Sequence, residues 1–480
     1  MRKEDIVFVI NPARWNNDMF SIGILNLSAF LQENGLENII LDSAIAPRNN
    51  HEPGEKLIID RIRELKPKIV CFTSTHYEFD AVTRMNEAIK KMDADIYTIV
   101  GGPQPTFRPL DFLESGFQFA AVGEGEFTLF EFVREITNRS YRWEKIPGLS
   151  WKAHHGKNIR NPPRKLMTND DLNKTPVLPY EKIDPKHFDC NDRLIRGLPL
   201  KGAMIMTSRG CPFSCSFCGC GLIFGKKIRY YSLDHIEREI EHLKANFHIE
   251  GLWIADDTFT VNIEHVENVG QILKRYGIVW GCQSRVDIIN ERLVDTLKDL
   301  GCVQLDMGAE SGSQRILDHV IGKGTNIKQI KYAFNIARKY ELRTLANFMI
   351  GLPTETYKDL RKTKRLAKKI KADYYVFSIA TPLPGTKLYK MVNEDIKAQD
   401  FSLLDWNGSD LLEKINKSKI KNLTKTVKEL RRKFNRKTNL VQRISYRTFS
   451  AIKSPKKIYH FISRIIKKNV GLSKIQAGKE

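Results

Sequence analysis

Short runs of β-branched residues alternate with helical patterns along most of the chain, and this alternation restricts the fold more than any other feature. In the first 140 residues we predict strands at DIVFVINP, NIILDSA, KIVCFTST, DIYTIVGGP and FAAVGEGE. Apolar residues at helical spacing separate them, as in SIGILNLSAFLQENG. Strands that alternate with helices form a parallel doubly wound sheet, so we expect an α/β fold that begins with a Rossmann-like domain.

A second series of the same kind follows a linker rich in Pro, Asn and Asp. Its six strand candidates are GAMIMTS, GLWIADD, IVWGCQSR, VQLDMGAE, RTLANFMIGL and YYVFSIATPL. Six βα units predict a partial (β/α)6 barrel, whose chemistry belongs to the loops after the strands. The expected parts are the sheet domain, a linker with one hairpin, the barrel and a basic helical tail, over residues 1–140, 141–195, 196–400 and 401–480.

Small and polar residues stand at the carboxyl ends of the first strands. In a doubly wound sheet the ligand crevice lies there, and glycine lets a ligand approach the backbone closely. A crevice for a large ligand and simple tight turns both stay open as interpretations of Ser74, Gly101, Gly102, Gly123, Glu124 and Gly125.

The net charge of +22 is concentrated near the C terminus. Residues 411–480 contain 21 Lys or Arg against three Glu, which leaves a net charge of +4 for the rest of the chain. A basic tail says little about the substrate of the body, and we expect no nucleic acid as a partner.

The chain lacks the sequence signals of a membrane or secreted protein. No segment approaches the ~18 uninterrupted apolar residues of a transmembrane helix, and the apolar run at the start is too short for a signal peptide. We therefore expect a cytoplasmic protein. Its eight cysteines then lie in a reducing compartment, where clustered thiols bind metal more often than they form disulfides.

Half of these cysteines lie in the short stretch SRGCPFSCSFCGC. Cys211, Cys215 and Cys218 have the spacing C-x3-C-x2-C, and Cys220 follows two residues later. Zinc prefers four ligands in two separated pairs, and bacterial ferredoxins space their cysteines differently, so we expect neither site. Three thiolates can hold three irons of a four-iron cluster and leave the fourth iron open to a ligand.

This motif follows the first predicted barrel strand, has an aromatic residue just before its last cysteine, and resembles the motif of the radical S-adenosylmethionine (SAM) superfamily. The resemblance implies a [4Fe-4S] cluster on Cys211, Cys215 and Cys218, with SAM at the open iron. It gives Cys220 no role, and we interpret this residue as a neighbouring thiol. It also implies SAM-binding residues beside the motif and at the barrel strand ends: Phe217, Asp256, Asp257, Ser284, Arg285, Glu310 and Gly351.

The segments DDTF, ESGS and PLPGT resemble one subgroup of this superfamily, which includes class B methyltransferases and anaerobic magnesium-protoporphyrin cyclases. Its members carry an N-terminal cobalamin-binding domain, so the resemblance implies cobalamin at the strand-end residues named above. The D-x-H-x-x-G motif that supplies a histidine to cobalt in other cobalamin proteins is missing, and NPARWNND follows the first strand instead. We predict that this loop gives cobalt no histidine; a domain that has lost cobalamin is the alternative.

The resemblance implies an enzyme that cleaves SAM to a 5′-deoxyadenosyl radical and methylates an unactivated carbon of a small-molecule or lipid-like substrate. It also implies a low-potential electron donor such as flavodoxin or ferredoxin. Oxidative cyclisation or ring formation is one alternative, and a non-catalytic sensor of cobalamin and an iron–sulfur cluster is another. A tRNA methylthiotransferase would need three more cysteines in the first 140 residues, where only Cys71 occurs.

One segment of the basic tail has the pattern of an amphipathic helix. SPKKIYHFISRIIKKNVG places apolar residues at helical spacing, namely Ile458, Phe461, Ile462, Ile465 and Ile466. Such a helix either docks on the barrel or lies on an anionic membrane surface. In the second case the protein would lie peripherally on the inner face of the membrane.

Overall fold

A parallel sheet forms the first part of the molecule, whose structure here is a computed structural model. The structure describes residues 2–11, 20–43, 52–153, 155–189, 194–196, 198, 200–392, 396 and 398–435. All five predicted strands of the first series are present, in the order β2-β1-β3-β4-β5. From β1 to β5 they span Ile6–Ile10, Ile39–Asp42, Ile69–Thr73, Tyr97–Gly101 and Phe119–Ala121.

The central strands of this sheet are buried on both faces, which explains their continuous apolar sequences. In β1, Val7 and Val9 pack into one core, whereas Ile6, Phe8 and Ile10 pack into the other. Helices cover both faces. From α1 to α6 they span Ile22–Glu33, Glu52–Leu65, Phe79–Met92, Pro103–Phe107, Pro109–Glu114 and Glu126–Thr137.

A hairpin extends this sheet beyond β5. Its first strand, β6 (Leu149–Lys152), pairs antiparallel with β5. Its second strand, β7 (Asn158–Arg160), pairs antiparallel with β6. The predicted hairpin is therefore present, but it belongs to the sheet rather than to a free linker. A local sequence pattern identifies a hairpin without identifying the strand beside which it lies. A short helix, α7 (Asn169–Asn173), follows.

The predicted barrel is present as a second sheet of six parallel strands. After β8 (Gly202–Ile205), the short antiparallel pair β9 (Ser208–Arg209) and β10 (Arg229–Tyr230) brackets the cysteine stretch and α8 (Cys220–Ile223). In the six-stranded sheet, β8 is followed in order by β11, β12, β13, β14 and β15. From β11 to β15 these strands span Gly251–Ile254, Val279–Ser284, Cys302–Glu310, Arg343–Ile350 and Tyr374–Ile379. From α9 to α14 the helices span Leu233–Phe247, Ile263–Arg275, Glu291–Asp299, Gln314–Ile316, Ile327–Lys339 and Tyr357–Ile370, and a π-helical turn, Leu317–Ile321, follows α12.

Three further helices follow the barrel, α15 (Lys387–Val392), α16 (Asp410–Ile415) and α17 (Leu423–Asn435). α17 lies along β15, where the Asn435 side chain donates to the Tyr375 carbonyl at 2.8 Å and accepts from its amide at 3.0 Å. The amphipathic segment from Ile458 to Ile466 lies outside the described residues. Among the described helices, none has both the length and the hydropathy required to cross a membrane.

Residues 401–406, here called the strap, connect the end of the barrel back to the first domain. The Trp406 carbonyl accepts from the Ile379 amide at the end of β15, and the Trp406 amide donates to the Tyr77 hydroxyl at 3.4 Å. The Arg108 guanidinium lies 5.3 Å from the centre of the Phe401 ring. The two domains are therefore joined by the strap as well as by the chain that leads from β7 to β8.

Candidate functional site

The cysteine stretch forms a loop at the carboxyl end of the first barrel strand, where enzymes with barrel folds place their chemistry. We call residues 210–228, between β9 and β10, the cysteine loop. Gly210 has a φ of 102°, and a Cβ there would lie 2.5 Å from the Lys227 carbonyl oxygen. The Cys211 amide donates to the Gly225 carbonyl at 3.2 Å. Only glycine fits where the two ends of this loop meet.

Four thiols share this loop, and all are half-buried: Cys211, Cys215, Cys218 and Cys220. A hydrogen bond from Cys220 lowers the pKa of the Cys218 thiol. Burial raises the pKa of the Cys211 and Cys215 thiols. The thiol that lies outside the C-x3-C-x2-C motif is thus in direct contact with the last thiol of the motif.

Two cations lie beside Cys215. Arg285 Nη1 is 3.3 Å from the Cys215 sulfur, and the Arg285 guanidinium lies 3.7 Å from the centre of the Phe213 ring. The positive charge of Lys323 also favours the Cys215 thiolate. The Lys323 ammonium forms a buried ion pair with Glu310 at 2.9 Å. Positive charge beside a cysteine favours the thiolate, the form that binds metal.

This donor set fits an iron–sulfur cluster better than a single metal ion. Within the described part of the chain, no three His, Cys, Asp or Glu side chains lie close enough together to hold one ion. Zinc requires such convergence, whereas the thiolates of a four-iron cluster each bind a different iron. Cys211, Cys215 and Cys218 supply three thiols on one loop beside two cations, and thiolates are the ligands that hold a four-iron cluster.

Ser216 fixes the middle of the cysteine loop to the barrel. It is buried, its hydroxyl donates to the Val320 carbonyl, and its amide donates to the Ile321 carbonyl at 3.0 Å. Both carbonyls belong to the π-helical turn, and π-helical turns are frequent at functional sites. Sequence analysis missed Ser216 because a serine in a Gly- and Ser-rich loop carries no signal of its contacts.

The two aspartates after β11 have different surroundings. Asp256 is fully buried; its carboxylate accepts from the Thr207 amide, the Thr207 hydroxyl and the Ser208 hydroxyl, each at 2.6 Å. Burial raises the pKa of Asp256 to about 6. The Asp257 carboxylate instead accepts hydrogen bonds from the Cys220 thiol and the Gly210 amide. Only one of its oxygens, Oδ2, is buried without a partner in the described structure. Asp256 thus supports the strand that leads to the cysteine loop.

Other predicted SAM-binding residues lie at the same end of the barrel. Ser284 Oγ is 2.8 Å from the Thr260 hydroxyl, so its hydroxyl already has a partner within the protein. Phe217 is half-buried and packs against the hydrophobic core. Gly351 has a φ of 81°, and a Cβ there would lie 2.6 Å from the Leu423 side chain. Gly351 therefore allows α17 to pack closely.

Sequence analysis also missed Lys323 and Gly308. A Cβ at Gly308 would lie 2.1 Å from Glu310 Oε1 and 2.5 Å from Lys323 Nζ, so glycine makes room for the buried ion pair. The Lys323 carbonyl accepts from Arg285 Nη2 at 2.6 Å. The segment IGKGT, a lysine between two glycines, is the one signal in the sequence that could have identified Lys323.

A cavity of about 430 Å³ lies at the carboxyl ends of β1, β3, β4 and β5. Five of the six predicted strand-end residues line it: Gly101, Gly102, Gly123, Glu124 and Gly125. Ser74 is not among the lining residues; it is fully buried and its hydroxyl donates to the Thr75 carbonyl. A Cβ at Gly102 would lie 2.7 Å from the Thr73 hydroxyl, so glycine is required at this edge.

The opposite wall of the cavity comes from the barrel domain. Met206, Arg209, Ile223 and Phe224 line it, and the last two belong to the cysteine loop. No histidine lines the described part of the cavity, and residues 12–19, which follow β1, contain none in sequence. The Asn11 side chain also lines it, and its Oδ1 is buried without a partner in the described structure.

Two protein families match this chain over the parts just described. Residues 10–133 match the B12 binding domain, and residues 205–367 match the Radical SAM superfamily. The first match includes β2 to β5 of the sheet with the cavity, and the second includes the cysteine loop and the barrel strands β11 to β14.

Individual relatives are similar over longer stretches than either family match. An uncharacterized methyltransferase of Pyrococcus horikoshii is 36% identical over 334 residues, which cover 68% of this chain and 70% of the relative. The anaerobic magnesium-protoporphyrin IX monomethyl ester cyclase of Rubrivivax gelatinosus is 27% identical over 387 residues, which cover 78% and 66%. The radical SAM methyltransferase TsrM from Kitasatospora setae, solved with a tryptophan substrate and a SAM analog, has the same fold, with a TM-score of 0.68, 19% identity and coverage of 81% and 76%.

Proposed function

Because the chain belongs to the radical SAM superfamily and carries a B12-binding domain, we propose that it methylates an unactivated carbon of a small-molecule or lipid-like substrate. It is an enzyme whose cofactors are SAM, a [4Fe-4S] cluster and cobalamin. When bound, the cluster and SAM supply a radical that removes a substrate hydrogen, and cobalamin supplies the methyl group. The protein mainly positions and shields these groups.

One observation carries this proposal: the cavity and the cysteine loop share a wall. Ile223 and Phe224 belong to the cysteine loop and line the cavity. A group bound in the cavity and a group bound by the loop would therefore be neighbours. Methyl transfer to a carbon radical requires such proximity, whereas a sensor that only binds the two groups has no need of it.

The residues around the site suit distinct parts of this task. Cys211, Cys215 and Cys218 would hold the cluster, and Asp257, with its unpartnered oxygen, would accept a hydrogen bond from the SAM ammonium. Asn11 Oδ1 would accept from an amide of cobalamin, since it lines the cavity and has no partner in the described structure. An unpaired buried acceptor is costly, so each of these atoms favours a ligand that donates to it.

Oxidative cyclisation is a second candidate, favoured by the similarity to the magnesium-protoporphyrin cyclase. Both reactions begin with removal of a substrate hydrogen, so the cysteine loop serves them equally. Incubation with SAM labelled in its methyl group separates the two reactions, because only methylation transfers this label to the product. Either reaction needs a low-potential electron donor, for which we propose a flavodoxin or a ferredoxin.

We also propose that the enzyme contacts an anionic membrane through its basic face. This face comprises the exposed Lys and Arg of α14 and α17: Lys358, Arg361, Lys362, Arg365, Lys368, Lys369, Lys425, Lys428, Arg432 and Lys433. Tyr375 lies between the two helices, because its hydroxyl donates to the Ala367 carbonyl and its ring lies 5.1 Å from that of Phe434. The positive charge is thus not confined to the tail that continues from α17, and such clusters attract anionic lipids.

The cluster site is tested by replacing Cys211, Cys215 and Cys218 together with alanine. After anaerobic reconstitution this variant should lack the visible absorption of an iron–sulfur cluster and should form no 5′-deoxyadenosine. Cys220→Ala is the matched control, because it removes a thiol of the same loop that the motif does not use. Full cluster content in the triple variant would refute the assignment.

The cobalamin site is tested by adding hydroxocobalamin to the purified protein and recording the electron paramagnetic resonance spectrum of the cob(II)alamin form. We expect retention of cobalamin and no superhyperfine splitting from an axial nitrogen, because no histidine lines the described part of the cavity. Nitrogen splitting would contradict the predicted absence of a histidine ligand. Loss of cobalamin on gel filtration would remove cobalamin from the proposal altogether.

A further inference from the structure

A buried ion network connects the cavity to the cysteine loop. Glu124 and Glu126, which follow β5, face Arg209 in β9 and Arg229 in β10. Arg209 Nη1 lies 3.3 Å from Glu124, Arg209 Nη2 lies 2.8 Å from Glu126, and Arg229 Nη1 lies 2.9 Å from Glu124. All four residues are at most 7% exposed. The two carboxylates belong to the first domain and the two guanidinium groups to the barrel domain.

The network also holds both ends of the cysteine loop. Arg209 is two residues before Cys211, and its guanidinium donates to the Tyr231 hydroxyl at 2.8 and 3.1 Å. Arg229 Nη2 donates to the Phe224 carbonyl, inside the loop, at 2.7 Å. The two arginines therefore fix the segments that enter and leave the loop, and the glutamates of the other domain fix the arginines.

The free-energy cost of burying the two arginines is compensated only while the two domains are docked. A buried charge is tolerated only when an opposite charge and hydrogen bonds compensate it. If the first domain moved away, Arg209 would lose both of its carboxylates, and only Tyr231 would remain among these partners. The ends of the cysteine loop would then have no fixed position.

We propose that Arg209, held between Glu124 and Glu126, is a positioning residue that orders the cysteine loop only while the cavity-bearing domain is docked against it. Arg209 is not a cluster ligand in this role; it acts through the loop that follows it. The inference rests on the proposed function only in naming this loop as the cluster site. Cobalamin and cluster binding would be coupled through this network, because Glu124, Glu126 and Arg209 also line the cavity.

The test uses the full-length chain without cofactors, so it does not depend on activity. Amide hydrogen exchange is measured in Glu126→Gln, which keeps the size of the side chain but removes one of the two charges that hold Arg209. We expect exchange in residues 210–228 to rise on the order of tenfold or more, while exchange in α13, on the far part of the barrel, stays unchanged. Arg209→Lys, which keeps the charge but loses the forked geometry, should give an intermediate rise.

Two controls separate positioning from a general loss of stability. Leu243→Ala creates a cavity in the barrel core and should speed exchange without singling out the cysteine loop. Arg238→Gln removes an exposed ion pair with Asp234 and should change nothing. If Glu126→Gln leaves loop exchange unchanged, or raises it no more than Leu243→Ala does, the proposal is wrong. Failure of cluster assembly in the wild type would refute the proposed function and leave this measurement intact.

Discussion

Asp359 shows how one residue near the site connects two parts of the barrel. Its carboxylate accepts from the Ser313 hydroxyl at 2.6 Å, the Thr356 hydroxyl at 2.7 Å and Arg315 Nη2 at 2.6 Å. Thr356 caps the start of α14, whereas Ser313 and Arg315 lie at the start of α12, which follows β13. Burial opposes ionisation, but the hydrogen bonds from Ser313, Thr356 and Arg315 outweigh it and lower the pKa of Asp359.

We expect Asp359→Asn to lower the free energy of unfolding by about 1–3 kcal/mol at neutral pH, since a neutral amide is a weaker acceptor and adds an unwanted donor. A carboxylate with a lowered pKa stabilises the fold fully above its unfolded-state pKa of about 4. This stabilisation is lost as the pH falls toward the pKa in the folded state. Urea denaturation at a series of pH values should show the difference between wild type and variant shrinking below about pH 4.

Asp234→Asn is the control for this prediction, because Asp234 is exposed and pairs only with Arg238 on the surface of α9. This substitution should leave the free energy of unfolding within about 0.5 kcal/mol of wild type at every pH. A difference for Asp359→Asn that grows in acid would contradict the assigned direction of its pKa shift.

At the residue scale, sequence marks candidate ligands more readily than the residues that hold them in place. The spacing of Cys211, Cys215 and Cys218 is a local pattern, so it can be recognised without coordinates. Arg209 and Asp256 act through partners on distant segments, and nothing local marks these contacts. Glu124 was predicted as a cobalamin contact; it lines the cavity, but its carboxylate is engaged by Arg209, Arg229 and the Met167 amide.

At the scale of elements, α16 and α17 are part of the barrel rather than of a separate tail. Leu412, Leu423, Val427 and Leu430 are all buried. α17 also lies along the edge strand β15 and covers it. Without α17 the backbone of β15 would be exposed and open to pairing with other chains. A truncation meant to remove only the basic tail must therefore end after Asn435.

We expect the chain 1–435 to fold with a melting temperature close to that of the full chain, because every described contact is kept. Truncation after Ser409 should instead give insoluble or unfolded protein. It exposes the apolar surface buried by four large side chains, each worth about 1.5–3 kcal/mol. Circular dichroism during heating and the soluble fraction after expression measure the two outcomes. A soluble, cooperatively melting chain 1–409 would show that α16 and α17 are dispensable.

Periodicity identified the strands of the two parallel sheets. All strands of both predicted series are present, because runs of β-branched residues between helices require burial on both faces of a sheet. The two-residue strands β9 and β10 and the π-helical turn were not predicted. They depend on hydrogen bonds across the cysteine loop and to Ser216, which no sequence period reveals.

At the scale of the whole molecule, positive charge forms one basic face over α14 and α17, from which the tail continues. We expect the full chain to bind vesicles containing anionic lipid, with each basic residue near the surface contributing roughly 1 kcal/mol at low salt. Binding should weaken steeply as salt rises, because the charges are exposed and screened. Co-sedimentation of the chain 1–435 should still show binding by the basic face, at reduced affinity.

A charge-removing variant with Lys358, Lys362, Arg365 and Lys369 replaced by glutamine should lose most of that residual binding while its melting temperature changes little. A matched variant with four exposed lysines elsewhere, Lys66, Lys91, Lys145 and Lys201, replaced by glutamine should bind as the chain 1–435 does. Equal binding by both variants would show that net charge, and not this face, directs contact by the chain 1–435. Preference for RNA over vesicles in competition would replace the membrane with a nucleic acid.

The strap makes the chain run in a closed circuit, from the sheet through the linker to the barrel and back to the sheet. Two domains joined by a single linker can separate by a hinge motion about that linker. Here the linker and the strap both connect them, so either domain can move away only if the contacts of Phe401 and Trp406 break. Two connections instead of one restrict hinge motion between the sheet domain and the barrel domain.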